Sequence, residues 1–214
     1  MFIDVPTGNC SVEVWRRASA QTAAAFRSFP TANVGDAQDR FGLVHSAIRA
    51  QSAGARCVGS ALTVLTREGD NLAIHRALDE AQPGDVLVVS GLGDETRALF
   101  GDLLAEVCLV RGVTGVVIDG VTRDVEAIAA LGLPVWARGS TAAGPTKTGP
   151  GRIGVPVAIG GVVVNPGDIV VGDGDGVAVV PRDRAGETLD RLAKIESFED
   201  ALRERIRATR VAAS

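Results

Sequence analysis

Four short apolar runs follow one another through the middle of the chain: residues 56–66 (RCVGSALTVLT), 85–90 (DVLVVS), 114–118 (TGVVI) and 133–138 (LPVWAR). Strands this apolar on both faces must be covered on both faces, which is the situation of strands in a parallel sheet. The segments between them have helical spacing. A GDN turn near residue 70 opens a helix that ends close to Ala81. Residues 102–111 and 124–131 read as two more helices, and Pro83-Gly84 and Gly91–Gly93 as turns. Strands alternating with helices imply an α/β fold built on a layered parallel sheet.

The flanks read differently. Residues 11–27 are expected to form a helix, with Val12, Val14, Trp15 and Ala18 on one side and Arg16 and Arg17 on the other. Residues 31–41 suggest a second, short helix capped by Thr31 or Asn33. GSTAAGPTKTGPGRIG, from residue 139, should be an extended loop. Residues 155–181 are strand-like, with a turn at Asn165–Asp168 and a hairpin turn around Asp173 and Asp175. A charged helix is expected at about 183–209, as an extension of one domain spanning 1–214.

Composition narrows the function. A net charge of −4 with no basic block argues against nucleic acid as a partner, and the absence of Tyr argues against base stacking. Cys10, Cys57 and Cys108 have neither disulfide-framework nor zinc-site spacing, and suit a reducing, cytoplasmic setting. The start does not resemble a signal peptide, and no apolar stretch is long enough for a bilayer. His45 and His75 are too far apart to suggest a histidine metal site, and each reads as structural. Asp173 and Asp175 read as turn acids before metal ligands. GLGDET, after a strand, lacks the third glycine of a dinucleotide fingerprint.

Asp102 opens one helix, and twenty residues later the pair Arg123-Asp124 opens the next. A strand-turn-helix unit of this size can bring both turns to one end of a sheet, where α/β proteins bind ligands. A carboxylate at a helix start, with waters, suits Mg²⁺ or Mn²⁺. A guanidinium holds a carboxylate or a developing enolate oxygen. The amides of Leu103 and Leu104, at the start of the helix, can receive a keto acid's carboxylate, with Asp102 as a base beside it. Singly, each residue has a plainer reading. Asp102 is then an N-cap, Arg123 a surface partner of Glu126, and Asp124 an acid favoured by the helix dipole.

Together, Asp102, twenty residues and Arg123-Asp124 match a D-x20-R-D signature. With it stand GDNLAIH, PGDVLVV, GDLLA, RGVTGVVIDGVTRD, GLPVWARG and PGDIVVGDGDGVAVVP, across roughly residues 30 to 182. In these motifs the chain resembles the class II pyruvate aldolases acting on 4-hydroxy-4-methyl-2-oxoglutarate. That family also contains the RraA proteins, regulators of ribonuclease E.

The resemblance implies a layered ββα sandwich of the swivelling-domain type, assembled as a homotrimer or homohexamer with sites between subunits. It implies that Gly101, Asp102, Leu103 and Leu104 bind the pyruvyl part and that Arg123 binds the keto or enolate oxygen. Asp124 would hold Mg²⁺ or Mn²⁺. An acid from the adjacent subunit's C-terminal segment, Glu199 or else Glu196, would complete the catalytic set. The implied activity is cleavage of a 4-hydroxy-2-keto acid to pyruvate, with oxaloacetate decarboxylation as a side reaction. The alternative is a non-enzymatic regulator of ribonuclease E.

Overall fold

The structure, a computed structural model, describes residues 9–212. Strand β1 (Cys10–Val12) leads into a short helix α1 (Ala20–Ala24), then α2 (Thr31–Ala37) and a two-residue strand β2 (Arg49–Ala50). The central series follows as β3 (Cys57–Thr66), α3 (Leu72–Glu80), β4 (Asp85–Ser90), β5 (Ala98–Phe100), α4 (Asp102–Val110), β6 (Gly115–Thr122), α5 (Val125–Leu131) and β7 (Val135–Ser140). Strands β8 (Gly151–Ile153), β9 (Val157–Ile159), β10 (Val162–Val164), β11 (Ile169–Asp173) and β12 (Gly176–Val180) come next. A 3-10 turn (Arg182–Arg184) then opens the long helix α6 (Ala185–Ala212).

The apolar runs form the expected parallel centre, in the order β3-β4-β6-β7. The ten-stranded sheet as a whole is mixed. The later, strand-rich part of the chain returns antiparallel against β3: β11 pairs Cys57 to Ser60, and β8 pairs Val64 to Thr66. β12 then pairs with β11, and β9 and β10 make a separate hairpin.

Residues 11–27 do not form one helix. Cys10–Val12 pair in parallel with β8, and only Ala20–Ala24 are helical, capped by Ser19, whose hydroxyl accepts from Thr22 N at 3.0 Å. Arg17 keeps the stretch between them extended. Its Nε donates to Asp85 Oδ1 at 2.9 Å, its Nη2 donates to the Glu80 carbonyl at 2.8 Å, and the guanidinium lies over the Trp15 ring. Val12, Val14 and Trp15 favour strand, and pairing with β8 overrides the weak helical spacing. At α2 the cap residue is Pro30, without a side-chain bond. The Thr31 amide donates instead to Asp173 Oδ2, at 2.8 Å, from the β11–β12 hairpin. That tertiary cap explains why neither Thr31 nor Asn33 plays the part.

Helices α3, α4 and α5 cover one face of the sheet, over Leu62, Leu87, Val89 and Ile118. The other face, with Val86, Val88, Val117 and Trp136, is closed by β9 and β10. A third cluster joins α1, α2 and the start of α6 to β11 and β12. Leu192 is fully buried there, so the first two turns of α6 belong to the core. Beyond them Phe198 and Ile206 stand exposed. No described helix is long and apolar enough to cross a membrane.

Candidate active site

Strands β5 and β6 are parallel neighbours that end together, with Phe100 opposite Thr122. The Arg123 amide and the Thr122 hydroxyl both donate to the Phe100 carbonyl, at 2.9 and 2.8 Å. Two strand-to-helix turns are thereby locked side by side. One carries Gly101 and Asp102 into α4, and the other carries Arg123 and Asp124 into α5. This shared strand end is what brings together residues that lie twenty positions apart.

Asp124 has φ 54° and ψ 37°, in the left-handed region that non-glycine residues seldom occupy. Its carboxylate makes no capping bond to its own helix α5. It turns instead toward the start of α4, where Oδ2 accepts from the Asp102 amide at 3.4 Å and lies 3.2 Å from Arg123 Nε. The helix-start reading of Asp124 therefore does not describe its side chain. Asp102 Oδ1 accepts from the Leu103 amide at 2.7 Å, so that amide is already engaged. Gly101 is packed against the pair. A Cβ there would stand 2.6 Å from Asp124 Oδ2 and 3.2 Å from Arg123 Nε.

Two hollows flank Arg123. One is a cavity of about 70 Å³ at the α4 N-terminus, lined by Gly101, Asp102, Leu103 and Leu104 together with Arg123. It accommodates the small end of a ligand rather than a drug-sized molecule. The other is an open groove formed by Asp124, Glu126, Ser140 and Thr141. The site thus unites Gly101, Asp102, Leu103, Leu104, Arg123 and Asp124. Glu199 and Glu196 lie on α6, outside both hollows, and Glu199 Oε2 pairs with Arg203 at 2.6 Å.

Three polar residues that the sequence did not point to also line the cavity: Asn71, His75 and Lys147. Asn71 and His75 come from the start of α3. His75 is buried, and burial, followed by the charge of Lys147, pushes its imidazole down to about 4, so it is neutral at pH 7. The available signal was the four-residue spacing of Asn71 and His75 within an otherwise apolar helix start.

Lys147 rides on the loop after β7, and Asp70 holds that loop. Asp70 is fully buried. Its Oδ2 accepts from the Thr146 hydroxyl at 2.7 Å and the Thr148 amide at 2.8 Å, while Oδ1 accepts from the Leu72 and Gly149 amides at 3.0 and 3.1 Å. Burial alone would raise its carboxyl pKa, but the bonds from Thr148, Leu72, Thr146 and Gly149 outweigh that and leave it lowered.

Among the described residues, no group of three His, Cys, Asp or Glu side chains forms a ready metal cage. Mg²⁺ needs none, since one or two carboxylates suffice when water and substrate oxygens fill the other positions. Asp124, partly exposed with Asp102 beside it, fits a hydrated Mg²⁺ or Mn²⁺ and does not fit a closed zinc site.

Residues 31–179 match the RraA-like family, described as Aldolase/RraA. A protein of Halalkalibacterium halodurans, provisionally named 4-hydroxy-4-methyl-2-oxoglutarate aldolase, is 43% identical over 180 residues, covering 84% of this chain and 85% of that one. A solved Streptomyces coelicolor structure, described as an unusual member of the RNase ES inhibitor RraA protein family, superposes with a TM-score of 0.81 at 32% identity, over 89% of this chain and 99% of that one. The RNA-processing inhibitor RraA of Thermus thermophilis gives a TM-score of 0.66 at 29% identity, over 72% of this chain and 93% of its own.

Proposed function

The chain belongs to the RraA-like family, and from that premise we propose that it is a divalent-metal-dependent lyase that releases pyruvate from 4-hydroxy-4-methyl-2-oxoglutarate or a related 4-hydroxy-2-keto acid. The observation that carries this reading is the meeting of Asp102, Arg123 and Asp124 at the paired ends of β5 and β6. The 43% identical relative supports it.

The pyruvyl carboxylate docks at the N-terminus of α4, where the Leu104 amide and the helix dipole favour an anion. Arg123 donates to the C2 oxygen through the guanidinium nitrogens not facing Asp124. Asp124 would hold Mg²⁺ or Mn²⁺, which would supply Lewis-acid stabilisation of the developing negative charge. Asp102 takes the C4 hydroxyl proton as the C3–C4 bond breaks. The bonding pair passes into the enolate of pyruvate, and protonation at C3 completes the product. Loss of CO₂ from oxaloacetate yields the same enolate, so decarboxylation accompanies the aldol activity.

The working form is a homotrimer or homohexamer. Phe198, Leu202 and Ile206 recur at four-residue spacing on the outer part of α6, exposed by 66%, 37% and 59%. A second copy covering this stripe would bring Glu199, or else Glu196, toward the open groove beside Asp124. Three unpaired cysteines suit a cytoplasmic protein.

The second reading is a regulator of ribonuclease E, favoured by the Streptomyces and Thermus relatives. Chain length does not separate the two readings, because the Streptomyces protein matches 89% of this chain. Assay does. Purified protein with Mg²⁺ or Mn²⁺ should release pyruvate from 4-hydroxy-4-methyl-2-oxoglutarate, 4-carboxy-4-hydroxy-2-oxoadipate or oxaloacetate. Inactivity on all three, with tight binding to a ribonuclease, would establish the regulator instead.

A further inference from the structure

Asn71 and His75 lie one turn apart along the start of α3 and line the cavity at the α4 N-terminus. They are only 5% and 8% exposed. Asn71 Nδ2 donates to the Leu99 carbonyl at 3.1 Å, which fixes the amide and leaves Oδ1 as the atom with unmet demand. Asn71 Oδ1 and His75 Nε2 are buried and have no hydrogen-bond partner among the described residues. Leaving such atoms unmet carries their full desolvation cost. In native proteins unmet polar atoms of this kind call for an explanation, such as a ligand or an ordered water.

The two walls of the cavity differ chemically. Arg123, Lys147 and the α4 amides suit carboxylates and an enolate oxygen. The Asn71–His75 wall offers an amide carbonyl, which only accepts, and a neutral imidazole, which donates from Nε2 when the proton sits there. A carboxylate against Asn71 Oδ1 would meet an acceptor with an acceptor. A hydroxyl answers both atoms: it accepts from Nε2 and donates to Oδ1 as the substrate docks, and its single proton turns from Oδ1 to Asp102 when the C3–C4 bond breaks.

We propose that Asn71 and His75 form a subsite for the C4 hydroxyl of the 4-hydroxy-2-keto acid, and so select hydroxylated substrates over those without that group. The inference rests on the lyase reading above. It separates the two activities, because oxaloacetate carries a carboxyl and no hydroxyl at this end and makes no use of the pair.

The test compares kcat/KM of wild type, Asn71→Leu, His75→Phe and His75→Gln on 4-hydroxy-4-methyl-2-oxoglutarate and on oxaloacetate. Asn71→Leu and His75→Phe should lower the first by about 10- to 100-fold and the second by less than about threefold. His75→Gln, which retains a donor, should recover part of the loss. Equal losses on both substrates, or no loss on either, would overturn the subsite while leaving the lyase reading standing. A wild type inactive on both would overturn the two together. Nitrogen NMR of the wild-type imidazole, in chelator so that nothing turns over, needs no variant to fold. There the hydroxy acid should shift the His75 Nε2 resonance and pyruvate should not, and an equal response to both would overturn the subsite.

Discussion

The carboxylate of Asp124 occupies the space that a side chain on Gly101 would fill, with Oδ2 2.6 Å from where a Cβ would stand. The Gly101 backbone, at φ −149° and ψ −173°, is extended and open to any residue, so the steric demand comes from Asp124 and its neighbour Arg123 alone. Gly101→Ala should therefore displace the pair without straining the backbone. Pyruvate release should fall on the order of 10²-fold, the scale of a misplaced catalytic group. Circular dichroism and melting temperature should remain close to wild type. Undiminished activity would show that the pair does not need its present position.

Arg123→Lys keeps the charge but loses the fork, and the remaining ammonium cannot both face Asp124 and reach the C2 oxygen. Steady-state kinetics should show kcat reduced by about 10²–10³-fold, as for loss of an oxyanion donor. A raised KM at unchanged kcat would assign Arg123 to substrate holding instead.

Asp70 fixes the loop that carries Lys147 to the cavity. Asp70→Asn turns an acceptor of several buried donors into a group that presents its own N–H to them. Urea unfolding should show a loss of about 2–4 kcal/mol at unchanged m-value. A smaller effect would mean that the loop has other anchors of comparable strength.

Much of this architecture was legible in the sequence, and the gaps have physical causes. The apolar runs announced β3, β4, β6 and β7, because buried parallel strands leave an uninterrupted apolar signature. The spacing of Asp102 and Arg123-Asp124 announced two neighbouring turns, because one strand-turn-helix unit fixes that distance. The N-terminal segment misled, since its strand exists only by pairing with β8, and Arg17 is held by a partner 68 residues away. The cap of α2 comes from Asp173, across 142 residues. Asn71 and His75 are not legible as site residues, because a histidine among core residues looks structural until the cavity it lines is known.

His75 also links stability to pH. Its imidazole is held at about 4 in the folded chain, against 6.5 for a free one. Between those values the unfolded chain binds more protons, so stability is complete above 6.5 and falls as pH drops toward 4, by on the order of 3 kcal/mol in all. His75→Gln should flatten denaturation midpoints across that window. Losses at more acidic pH should persist in the variant, because Asp70, lowered from 3.8, surrenders its stabilisation only there. An unchanged slope in the variant would mean that other groups carry the dependence.

The proposed lyase chemistry rests most directly on Asp124, whose strained backbone aims a carboxylate at the start of α4 rather than at its own helix. The decisive measurement is pyruvate release from 4-hydroxy-4-methyl-2-oxoglutarate by wild type and Asp124→Ala, each with Mn²⁺ or Mg²⁺ and again in excess chelator. Activity should appear only in the wild type with metal, while both proteins keep the same melting profile without it. Turnover by Asp124→Ala at the wild-type rate, or by wild type in chelator, would contradict a metal role for Asp124.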